Sequence, residues 1–181
     1  MTFSLQFSRL GLVACLLFLS ELSLAEALKV KPVLNSNPER VLFVGNSYYY
    51  YNNSLHNHVS DLVNASDAAL GARLQFKSST IGGAALNHHN MAHLTEPGRI
   101  GVTQPFQWVV MQGGSAEPLS QSRREIFRQT AMTHAEMIKA RGGQVALYMT
   151  HAYVKPHRLV STQNIIATES MYVDVGNEIQ A

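Results

Sequence analysis

The chain has 181 residues, 46% of them hydrophobic and 14% charged, with a formal net charge of +2. That length and balance suit a single domain with a real core and exclude a disordered chain. The small net charge and the lack of any basic run exclude a nucleic-acid footprint.

Met1 to Ala27 reads as an export signal. Arg9 is its positive flank, and Leu10 to Leu19 is an apolar core too short to span a bilayer comfortably. Small residues at 25 and 27 predict cleavage after Ala25 or Ala27, giving a secreted or periplasmic chain with no stable membrane span. Cys15 is the single cysteine and lies within the signal, so the mature chain carries no disulfide and depends on packing. Residues 28–39, with Pro32 and Pro38, read as a linker. The remainder, 40–181, is expected to form one domain.

Val41 to Val44 is a short apolar run that ends on the turn Gly45-Asn46, which predicts a strand buried on both faces. Ser47 follows at its carboxyl end. After four tyrosines, Asn52, Asn53 or Ser54 can cap a helix whose apolar positions run from Leu55 to Leu70, with Gly71 as its stop. Arg73 to Ser79 alternates as a second strand, and Thr80 to Gly83 turns out of it. Ala84 to Leu94 is expected to be one short helix. Gln107 to Met111 is a third strand, followed directly by Gln112-Gly113-Gly114-Ser115. Ser122 to Arg141 is the clearest helix, stopped by Gly142-Gly143, and Gln144 to Met149 is a fourth strand. Ser161 or Thr162 caps a last helix. Strict strand–helix alternation predicts a parallel α/β sheet with right-handed crossovers and strand order 2-1-3-4.

Three turns then fall at the carboxyl ends of three strands, the edge on which such sheets bind ligands. Each turn alone is ordinary loop chemistry. Together they favour a site with Ser47 as nucleophile. Its own N–H, the Gly83 N–H and the Gln112 amide are candidate donors to an oxyanion.

These residues resemble the SGNH (GDSL-like) hydrolases. Gly45-Asn46-Ser47 looks like the family's first block, Gly83 like its second, and Trp108 to Ser115 like its third. The resemblance spans Arg40 to Ala181. It implies a flavodoxin-like three-layer α/β/α sandwich and hydrolysis of acyl or acetyl esters, on small molecules or carbohydrates, without a cofactor or metal. The chain also departs from the family. The third block has no asparagine, so Gln112 or Gly114 stands in its place. The family's catalytic Asp-x-x-His string is absent, since none of the three aspartates, Asp61, Asp67 and Asp174, has a histidine three residues on. With four predicted strands where the family has five, the resemblance implies a domain truncated before that block and a weak or inactive enzyme. The alternative is a vestigial binding protein that keeps the cleft without the base.

Other residues carry weaker signals. His151 follows the fourth strand and could serve as a substitute base or a substrate contact. His88, His89 and His93 invite a metal reading, since 89 and 93 are four apart on a possible helix, but they lack a completing ligand set, so a surface or loop role is expected. His134 is read as structural. Tyr48 to Tyr51 divide between an aromatic wall and simple core packing.

Overall fold

The structure is a computed structural model that describes residues 27–29 and 37–181. The export signal and most of the predicted linker lie outside the described residues. Four strands form one parallel sheet: β1 (Arg40–Gly45), β2 (Gln75–Thr80), β3 (Trp108–Met111) and β4 (Gln144–Leu147). Their order is β2-β1-β3-β4, as the alternation predicts. Register pairs Val44 with Ser79 on one side and Met111 on the other. The three strands therefore end level, and the turns that follow them start side by side.

Six helices accompany the sheet among the described residues: α1 (Ser47–Tyr50), α2 (Leu55–Ser66), α3 (Ala68–Gly71), α4 (Met91–Leu94), α5 (Gln121–Ala140) and α6 (Thr162–Ile179). Alternation along β1 divides the core. Leu42 and Val44 face a large cluster with Phe127, Ala131 and Ile138 of α5 and Met171, Tyr172 and Val175 of α6. Val41 and Phe43 face the other way, toward Tyr49 and toward Leu55 and Val59 of α2. Side chains alternate faces along a strand, so a four-residue apolar run covers both layers. The result is an α/β/α arrangement.

Several boundaries differ from the sequence reading, the second strand running from Gln75 to Thr80 rather than from Arg73 to Ser79 among them. The helix expected from Leu55 to Leu70 breaks at Asp67, whose carboxylate accepts from the Leu70 N–H at 2.9 Å and starts α3 afresh. Short polar side chains compete with the helix for its own donors. The helix expected over 84–94 splits for the same reason. A 3₁₀ turn (Leu86–His88) ends, and Asn90 caps α4 by accepting from the His93 N–H at 3.1 Å. The fourth strand ends at Leu147, with the Tyr148 N–H still bonded to the Met111 carbonyl at 2.8 Å.

Candidate active site

The turn after β1 is held by Asn46, a residue 3% exposed. Its side-chain amide donates to the Ala84 carbonyl at 2.9 Å and the Gly113 carbonyl at 3.2 Å, while its oxygen accepts from the Tyr48 N–H at 3.2 Å. One side chain thus ties the turn after β1 to those after β2 and β3. Gly45 precedes it because a Cβ there would overlap the Gln112 side-chain oxygen and approach the Tyr49 ring at 2.9 Å.

Ser47 and Gly83 both line a cavity of about 430 Å³ bounded by these three turns. Its walls add Asn87, His88, Ser115, Glu117 and Arg123. Gly83 has φ +70°, and a Cβ built on it meets nothing within 4 Å, so the backbone faces open space. Among the described residues neither the Gly83 N–H nor the Ser47 hydroxyl has a hydrogen-bond partner.

Gln112 is fully buried and does not line the cavity. Its side-chain oxygen accepts from the Asn46 N–H at 3.2 Å, and its amide nitrogen is buried with no partner among the described residues. Gly114 does line the cavity, but its N–H is committed to Glu117 Oε2. His151 is exposed and lies outside the lining. Its ring packs edge-on against Tyr48 with centroids 4.9 Å apart, and its Nδ1 lies 2.9 Å from the Ala152 carbonyl.

The tyrosine run divides. Tyr48 lines the cavity, Tyr49 is buried in the core, and Tyr50 and Tyr51 are exposed. The three histidines also part. His88 lines the cavity with Nδ1 accepting from the Ala85 N–H at 3.3 Å, His89 is buried, and His93 is exposed. Among the described residues no group of three or more His, Cys, Asp or Glu is arranged to hold a metal.

Glu117 escaped the sequence reading. It is 4% exposed, and its Oε2 accepts from the Gly114 and Leu86 N–H groups, the latter at 3.4 Å. Burial raises its carboxyl above the usual range, and the two backbone donors oppose that rise. The one available signal was a glutamate before Pro118 in an otherwise uncharged loop. Its burial comes from the return of the chain against Leu86, which no local pattern encodes. Beneath the turn, the Tyr172 hydroxyl accepts from the Gly113 N–H at 2.9 Å, and burial pushes that phenol up to about 12.

Two solved structures share the architecture. A protein assigned as an SGNH hydrolase from Slackia heliotrinireducens superposes with a TM-score of 0.55 at 19% identity, over 80% of this chain and 77% of that one. The fold is SGNH-like. An acetyl xylan esterase, AlAXEase, superposes with a TM-score of 0.57 at 11% identity, over 77% of this chain and 73% of that one. No family model matches the sequence, and no curated protein does. At these identities the likeness is one of fold.

Proposed function

We propose that the chain is an exported serine ester hydrolase of the SGNH type, acting on acyl or acetyl esters of small molecules or carbohydrates. The observation that carries this reading is the shared cavity of Ser47 and Gly83 at the carboxyl ends of β1 and β2. Ser47 Oγ attacks the ester carbonyl, its proton passes to a base, and the alcohol leaves with a proton to give an acyl-enzyme that water hydrolyses. The Ser47 and Gly83 N–H groups stabilise the developing oxyanion. The acetyl xylan esterase likeness makes an acetylated carbohydrate a natural first substrate.

The base is the weak link. The Ser47 hydroxyl has no partner among the described residues, and the sequence has no Asp-x-x-His. His88 lies on the cavity wall, and His151 packs against Tyr48, which also lines it. This favours a second reading, a cleft that binds esters but turns them over poorly. A panel of p-nitrophenyl esters, run on this chain and on Ser47→Ala, separates the two. Export rests on residues 1–27 alone; no helix among the described residues is long and apolar enough to cross a membrane.

A further inference from the structure

We propose that Arg123 makes the Ser47 cavity selective for an ester that carries a carboxylate. The inference rests on the hydrolase reading for its ester, and on the cavity alone for its anion.

Arg123 lines the same cavity as Ser47 and Gly83. Among the described residues its guanidinium makes one hydrogen bond, from Nη1 to the Ala116 carbonyl at 3.4 Å, at the long limit for such a bond. Three other arginines are satisfied by carboxylates: Arg73 by Glu39, Arg99 by Glu96, and Arg128 by Glu125 and Glu178. Arg124, the neighbour in sequence, donates to the Pro118 carbonyl at 2.6 Å and is not on the cavity wall. Arg123 therefore keeps most of its five donors for something outside the chain.

Its position also runs against local stability. It stands in the first turn of the 20-residue α5, where Ser120 Oγ accepts from its N–H at 3.4 Å. No acidic residue occupies that turn. The positive end of a helix favours acids there and disfavours an arginine. Residues that break a local rule collect where function demands them. The one carboxyl on the cavity wall, Glu117, makes no ion pair with Arg123 among the described residues: its Oε2 accepts from two backbone N–H groups and its Oε1 is buried without a partner.

A guanidinium binds a carboxylate through paired, charge-assisted bonds, which a neutral ligand cannot reproduce. The carboxylate can belong to the acyl part or to the alcohol part of the ester. A cavity of about 430 Å³ accommodates one sugar-sized group with a short acyl chain.

The test is equilibrium binding by titration calorimetry at low salt, which needs no turnover. Two matched pairs distinguish the sources. Succinamate against succinamide places the charge on the acyl side. Methyl glucuronoside against methyl glucoside places it on the alcohol side. One anionic probe is expected to bind at least about tenfold tighter than its neutral twin. Arg123→Gln should erase that difference, Arg123→Lys should keep part of it, and Arg124→Gln should leave it intact. Both variants at position 123 are exposed changes that leave the core untouched. Equal binding within both pairs, or a preference that survives Arg123→Gln, overturns the proposal. Failure of Ser47 to become acylated by p-nitrophenyl acetate even with added imidazole would instead count against the hydrolase reading and leave this result standing.

Discussion

At the scale of single residues, the site depends on side chains that do no chemistry. Asn46 spends both halves of its amide on three different loops, and Gln112 supports it from below. Replacing Asn46 by Ala would leave two carbonyls, Ala84 and Gly113, short of a buried donor. An unsatisfied buried polar group costs about 1–3 kcal/mol. We therefore expect Asn46→Ala to lower unfolding free energy by about 2–4 kcal/mol, read from the urea midpoint. It should also loosen the spacing of Ser47 and Gly83. Asn46→Asp keeps the acceptor for Tyr48 but loses both donations, and should be nearly as harmful. A change below 0.5 kcal/mol, the ordinary range of surface substitutions, would mean that the three turns hold together without this residue.

At the scale of elements, much of the architecture was legible and the reasons are specific. Val41 to Val44 reads as a strand because four apolar residues must serve two layers at once, and the two core clusters receive them alternately. α5 reads as a helix because Phe127, Ala131, Ala135 and Ile138 recur on one side and all four are buried. The breaks at Asp67 and Asn90 were missed because an Asx residue inside a periodic pattern can face solvent or cap a new helix. Only the local geometry decides. Ser47 and Gly83 were legible as residues just past matched strand ends, since a parallel sheet brings those ends together. Gln112 is buried and off the cavity wall, a placement that the course of the turn after β3 decides and no local pattern encodes. Glu117 was invisible because its burial depends on a contact with Leu86, thirty-one residues away.

The packing of α5 against the segment before α4 carries a pH signature. His134 of α5 and His89 are both buried, and burial depresses both imidazoles, His134 to about 4 with His89 adding to the effect. A histidine whose folded value lies below its unfolded one binds fewer protons when folded. Its neutral form is tolerated in full above the unfolded value of 6.5. Stability is lost as pH falls from there toward 4. For His134 alone the loss is on the order of 3 kcal/mol across that window. Glu117 works in the opposite sense, since its raised carboxyl favours the fold at lower pH and that benefit fades as pH rises. The clean comparison is thus between this chain and His134→Leu. Their stability difference should shift in favour of the leucine variant as pH drops from 7 to 4. Parallel stability curves would show that His134 is not buried neutral.

At the scale of the whole molecule, the sheet and the three turns build a cleft before they build a catalyst. The cleft has a serine, free backbone donors and a cationic wall, but among the described residues no base is bonded to the serine. Loss of one member of a serine triad leaves only the residual catalysis of the oxyanion donors and binding, about 10³–10⁴-fold over water. A diffusible base should restore part of what is missing if Ser47 is well placed. The most direct measurement is turnover of p-nitrophenyl acetate by this chain and by Ser47→Ala, with and without added imidazole, alongside mass spectrometry for an acetyl group on Ser47. The account predicts slow and nearly equal rates without imidazole. With it, acetylation appears at Ser47 and a rate increment appears that Ser47→Ala lacks. Rapid turnover without imidazole that Ser47→Ala abolishes would contradict the missing base and make His151→Ala the next variant to examine. No acetyl group on Ser47 under any condition would contradict its role as nucleophile.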